Sequence, residues 1–149
     1  LPGEKLTFSE ALETIKNGGD IMGNKREVVA LIPVREGSQR VKQKNFKPFS
    51  NEKSFLNLKI KQLQDADCFD KIYISSDSDL AKDIAHDEGA SFLFRDPYMC
   101  GHEARLYEYN NYMLNTVPGD PIVAWTMTTA PLFDDYLSLL SCTICKNTE

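Results

Sequence analysis

Short apolar runs alternate with helical patterns four times along the chain, and that rhythm restricts the fold more than any other feature. Residues 28–34, 71–75, 91–94 and 121–125 read as strands. A helix over 54–66 carries Leu56, Ile60 and Leu63 on one face. Another starts at Ser76-Asp77-Ser78-Asp79, capped by Ser78 or Asp79. It places Leu80, Ala81, Ile84 and Ala85 on one side and stops at Gly89. A third, over 103–115, turns Leu106, Tyr109 and Met113 inward, and a fourth opens at Asp134 and runs through Leu137, Leu140 and Ile144. The order βαβαβαβα predicts an α/β, Rossmann-like, mostly parallel sheet with helices on both faces. Ligands of such sheets bind beyond the carboxyl ends of the strands.

The segment after the first strand is the most polar of these ends. Arg35, Gly37, Ser38, Arg40, Lys44 and Asn45 all fall within it. Backbone N–H groups and short hydroxyls can cradle a polyphosphate there, while Arg and Lys neutralise charge. A basic loop alone is more often a solvated surface; its place after a first strand, with Gly37-Ser38 embedded, reverses that reading. Ser75 to Asp79, Arg95, and Thr126 to Pro131 end the other strands on the same edge.

Composition narrows the ligand. The 149 residues are 42% hydrophobic and 26% charged, with a formal net charge of −5. Such a balance fits a soluble globular protein and disfavours broad nucleic-acid binding. The cations of the first loop are local, which suits a small anion. No apolar stretch is long enough to span a bilayer. The first thirty residues lack an apolar run behind a basic start, so no leader is expected and a cytoplasmic location is. Residues 1–24, with a short helix over 7–16, read as an appendage. Cys68, Cys100, Cys142 and Cys145 are expected to be reduced. Cys142 and Cys145 have no partner pair or nearby His, and read as core packing late in a helix. His86 and His102 are assigned no catalytic role. Trp125 reads as core or pocket wall, and Tyr107, Tyr109 and Tyr112 as packing or a subunit contact.

The loop has neither a Walker A nor a Gly-x-Gly-x-x-Gly pattern. Pro33-x-Arg35-x-Gly37-Ser38-x-Arg40-x-x-x-Lys44-Asn45 instead resembles the signature of the acylneuraminate (sialic-acid-type) cytidylyltransferases. Ile72-Tyr73-Ile74-Ser75-Ser76-Asp77, Phe94-Arg95-x-Pro97 and Thr129-Ala130-Pro131-Leu132 resemble later blocks of that family, in order. The resemblance covers about residues 28–134. It implies a nucleotide-diphospho-sugar transferase fold, here incomplete, with residues 25–149 forming the N-terminal portion of a nucleotidyltransferase domain.

By that resemblance the activity is transfer of CMP from CTP to a sialic-acid-like sugar acid, with magnesium bridging phosphates and pyrophosphate leaving. Arg35, Gly37, Ser38, Arg40, Lys44 and Asn45 would hold the nucleotide, with Arg35 and Lys44 catalytic. Arg95 would contact the cytosine or its ribose, and Thr128, Thr129 and Pro131 the sugar acid. The resemblance implies no metal ligand within the chain. Gln39 stands where the family commonly has Lys, and Met127 where it often has Gln. Glu103 to Arg105 replace small hydroxyl residues. Those departures admit another sugar acid or sugar phosphate as acceptor. A catalytically incomplete nucleotide-binding module is the non-enzymatic alternative. A sheet ending at its fourth strand would leave an open edge, so a homodimer or other self-association is expected.

Overall fold

The structure, a computed structural model, describes residues 9–10, 13, 17, 20–21, 24–37, 42–128 and 143–145. A two-stranded antiparallel ladder comes first, joining β1 (Asp20–Ile21) to β2 (Asn24–Lys25). Five strands then form the main sheet: β3 (Val28–Pro33), β4 (Lys71–Ser76), β5 (Ser91–Phe94), β6 (Ile122–Trp125) and β7 (Thr143–Cys145). Their spatial order is β5-β4-β3-β6-β7, and the first four run parallel.

The central strand explains itself. Val28–Pro33 is buried along its whole length, as a parallel strand covered on both faces must be. Its side chains alternate between two cores. Ala30 and Ile32 pack with Leu56, Ile60, Leu63, Ala81 and Ala85 on one face. Val29 and Leu31 pack with Met113, Val117 and Val123 on the other. Helices α1 (Phe55–Asp65) and α2 (Asp79–Asp87) therefore cover one face and α4 (Leu106–Thr116) the other. The predicted fold class is the one observed.

Local chemistry sets the helix starts. Ser54 caps α1, its Oγ accepting from Asn57 N at 3.1 Å. Asp96 caps the one-turn helix α3 (Pro97–Cys100) by accepting from Tyr98 N at 2.8 Å, with Pro97 in the first turn. Arg95-Asp96-Pro97 thus opens a helix as well as closing a strand. Helix α4 starts three residues later than its apolar pattern suggests, because Glu108 Oε2 accepts from Arg105 N at 3.0 Å and fixes the first turn there. Gly89, at φ +73°, ends α2 in the left-handed backbone that glycine tolerates best.

Four expectations are corrected. Leu106, read as inward, is 75% exposed because it is the first residue of α4 and lies beyond the core. Leu80 is likewise exposed, so only Ala81, Ala85 and, in part, Ile84 anchor α2. Ser78 occupies the N-cap of α2 without capping it through its side chain; instead Ser78 N donates to Ser76 Oγ at 3.1 Å.

The fourth correction concerns the end of the chain. Thr143–Cys145 is a strand paired antiparallel with β6, where a helix through Ile144 was expected. Two of its three residues are Thr and Ile, which favour strands, and among the described residues β6 has no other strand on that side. The open edge expected beside the fourth strand is thereby occupied. The helical expectation over 134–142 lies outside the described residues, as does most of the one over 7–16.

Candidate functional site

Three hydrogen bonds carry the sheet's pairing past the strand ends. Val34 N donates to Ser75 O at 2.9 Å, Thr126 N to Leu31 O at 3.0 Å, and Arg95 N to Ser76 O at 2.9 Å. The residues that follow β3, β5 and β6 are thus held as firmly as the strands. In chain order β3 leads to β4 on one side, while β6 returns on the other, so the sheet's direction of build-up reverses between β3 and β6. A crevice opens beyond the carboxyl ends at such a point.

A cleft of about 510 Å³ occurs there, within the range of small-ligand sites. Arg35 lines it from the end of β3, Lys44 and Asn45 from a 3-10 turn (Lys44–Phe46), and Arg95 from the end of β5. Met127 and Thr128 line it from the end of β6, together with Cys100, His102 and Tyr109. Among the described residues the lining holds three cations and no Asp or Glu. None of those cations has an ion-pair partner among the described residues, where the bridges run Arg26–Asp120, Lys61–Glu52 and Lys71–Glu27. In a chain of net charge −5 this is a local electropositive cavity, and unpaired, partly desolvated cations favour an anionic ligand.

Arg95 is only 3% exposed, so it is neither a surface arginine nor a mobile one. Its Nη2 donates to Val34 O at 2.5 Å, its Nη1 to Tyr109 Oη at 3.0 Å, and its Nε to Cys100 Sγ at 3.1 Å. Burial pushes both the Cys100 thiol and the Tyr109 phenol up, with the Arg95 charge opposing in each case. Arg35 Nη1 reaches Cys100 O at 3.4 Å and lies 3.5 Å from His102 Nε2. Asn45 links two walls: its Nδ2 donates to Arg35 O at 3.4 Å, and its Oδ1 accepts from Thr128 Oγ1. Gln43, at φ 52°, turns the chain into the segment that presents Lys44 and Asn45.

A family model described as Cytidylyltransferase matches residues 29–143. The chain belongs to the cytidylyltransferase family. The N-acylneuraminate cytidylyltransferase of Escherichia coli O18:K1:H7 (strain RS218 / NMEC) is 27% identical over 108 residues, 72% of this chain and 26% of that protein. Two solved structures share the fold. A CMP:2-keto-3-deoxy-manno-octonic acid synthetase complexed with CTP matches at TM-score 0.60 and 16% identity, over 76% of this chain and 45% of that one. A cytidylyltransferase from Leptospira borgpetersenii serovar Hardjo-bovis (strain JB197) matches at TM-score 0.59 and 24% identity, over 77% of this chain and 47% of that one. The chain thus spans about a quarter of the curated relative and under half of each of these two structures.

Of the residues singled out in sequence, Arg35, Lys44, Asn45, Arg95 and Thr128 line this cytidylyltransferase cleft. Gly37 does not; it lines a separate shallow hollow with Glu36, Lys42 and Gln43. Among the described residues a Cβ at Gly37 would meet nothing within 4 Å, so none of them makes a steric demand for glycine there. Ser38, Arg40, Thr129 and Pro131 lie outside the described residues.

Cys100, His102 and Tyr109 are cleft residues that the sequence reading set aside. For Tyr109 a signal existed: it falls on the face of α4 that carries Met113, one turn nearer the sheet's carboxyl edge. Tyr112 does pack as read, its Oη accepting from Asp96 N at 2.9 Å. Trp125 forms a T-shaped contact with Tyr109 at 5.6 Å, which makes it a support of the cleft wall.

The described residues do not fit a protein-held magnesium site. Among them no three His, Cys, Asp or Glu side chains converge. Asp77 Oδ1 is buried without a hydrogen-bond partner, but it is a single carboxylate. No metal-dependent step is therefore assigned to these residues.

Proposed function

We propose that this cleft binds CTP and that the chain serves cytidylyl transfer to a sialic-acid-like sugar acid. The carrying observation is the set of three cations, without a carboxylate among the described lining residues, at the reversal point of the sheet. The likeness to an N-acylneuraminate cytidylyltransferase and to a CMP:2-keto-3-deoxy-manno-octonic acid synthetase complexed with CTP supports that ligand and acceptor class.

In the proposed reaction an acceptor hydroxyl oxygen attacks the α-phosphorus. The bond from that phosphorus to the bridging oxygen breaks, pyrophosphate leaves, and the hydroxyl proton is released. Charge grows on the leaving group, so a cation fixed beside it lowers the barrier. Lys44 and Arg35 fill that role, with Ser38 and Arg40 of the same loop completing the grip. Asn45 and Thr128 fix the loop against the acceptor side and aid in-line placement. Magnesium, where it takes part, would arrive on the triphosphate oxygens. A second reading keeps the reaction and changes the acceptor: Met127 is 50% exposed in the cleft and cannot hydrogen-bond a polar substituent as Gln would.

Titration calorimetry with CTP, UTP, ATP and GTP in the presence of magnesium tests the first step. Preferential CTP binding is expected; a purine preference, or no binding, overturns it. Pyrophosphate release across a panel of 2-keto sugar acids then selects the acceptor.

A further inference from the structure

We propose that Tyr109 and Cys100 are positioning residues that hold the Arg95 guanidinium as a fixed donor plate in the cleft wall, and through it set which pyrimidine the cleft accepts. This rests on the CTP reading above.

An arginine side chain has four rotatable bonds, and a loose one offers its N–H groups to any acceptor nearby. Arg95 is not loose. Three of its nitrogens each have an acceptor, from three different segments: Val34 after β3, Cys100 in α3 and Tyr109 in α4. Tyr109 is itself fixed, by its T-shaped contact with Trp125 and by packing on the core cluster of Val29 and Leu31.

The nature of the acceptors matters as much as their number. A carbonyl, a phenol and a thiol orient a guanidinium without themselves cancelling its charge, and the Asp77 carboxylate close by reaches the Cys100 thiol. Burial favours the neutral form of both Tyr109 and Cys100, which keeps them so. A carboxylate in either place would orient Arg95 equally well and leave less charge for a ligand.

A guanidinium carries five N–H donors and no acceptor. Three are committed, and each terminal nitrogen keeps one more. A fixed donor-only plate discriminates between pyrimidines: the N3 and O2 of cytosine both accept, whereas N3 of uracil carries a proton that such a plate cannot pair. Leaving a donor facing a donor in a desolvated wall is costly, which is how a built site rejects a near-isostere. If the plate can swing, the rejection weakens.

The test uses the 149-residue chain as wild type, Tyr109→Phe and Cys100→Ala, each titrated with CTP and UTP after thermal unfolding has confirmed folding. Tyr109→Phe removes one acceptor and little volume. It is expected to bind CTP about tenfold more weakly and to lower the CTP-to-UTP affinity ratio, while Cys100 reacts faster with a disulfide reagent as its Arg95 contact loosens. Cys100→Ala is expected to lower the same ratio and serves in place of Tyr109→Phe should the latter not fold. An unchanged CTP-to-UTP ratio in the folded variant overturns the positioning role and leaves the CTP reading intact. Failure of the wild type to bind CTP overturns both, and that arm is read first.

Discussion

Thr128 Oγ1 donates to Asn45 Oδ1 at 2.5 Å, joining the segment after β6 to the turn that follows β3. The two lie 83 positions apart in sequence. Asn45 passes the link on to the Arg35 carbonyl, so one amide side chain ties both lips of the cleft. Thr128→Val removes the hydroxyl at nearly constant volume. We expect Thr128→Val and Asn45→Ala each to weaken CTP binding by about 1 kcal/mol, and the double variant to cost less than the sum. Calorimetric titration of all four proteins checks this, and strict additivity would count against the link.

Arg35 and Lys44 act on charge rather than shape. Alanine at either is expected to cost about 2 kcal/mol in CTP affinity while moving unfolding stability by under about 0.5 kcal/mol, since neither is fully buried. The affinity of each variant should also fall less steeply with added salt than that of the wild type. A parallel salt dependence in wild type and variants would place these residues off the ligand.

Lys59 is 1% exposed in the middle of α1, and burial lowers its pKa to about 8. A lysine whose folded pKa lies below its unfolded value penalises the folded state while both states are charged. Between about pH 8 and 10.5 the unfolded chain binds more protons, so stability from this group rises with pH across that window. Lys59→Met is therefore expected to gain most over wild type at pH 7, with a ceiling of about 3 kcal/mol, and to lose that advantage by pH 10. Urea unfolding of both proteins at the two pH values decides it; an advantage that grows with pH contradicts the assignment.

Ser54 caps α1 and also donates to Asn57 Oδ1 at 2.6 Å. Its substitution by alanine should cost about 1 kcal/mol and lower the melting temperature by roughly 3 °C. No change in nucleotide affinity beyond that is expected, because Ser54 lines a separate pocket with Phe46, Asn57 and Ile84 and not the cleft.

The strands and the first two helices were legible because their residues obey one rule at a time. Val28 to Pro33 is apolar throughout, and Leu56, Ile60 and Leu63 repeat at helical spacing. The site was half legible. Arg35, Lys44, Asn45, Arg95 and Thr128 all follow strand ends, and the parallel sheet gathers strand ends by geometry. Cys100, His102 and Tyr109 come from a one-turn helix, a bend and a helix face. Their approach depends on how α3 and α4 pack against the sheet, and no local spacing records that. The strand at Thr143–Cys145 was missed for a related reason: three residues carry no period of their own, and the partner that makes them a strand is β6.

The bonds from Val34, Thr126 and Arg95 to the ends of neighbouring strands have one more effect. Amides locked into the central sheet open only when the whole domain does, whereas the turn bearing Lys44 and Asn45 contacts mainly α1. A ligand would thus meet one wall already set at synthesis and one that must be quieted on arrival. The entropy lost on binding would then fall almost wholly on that turn, and its stiffness would govern how long the ligand stays.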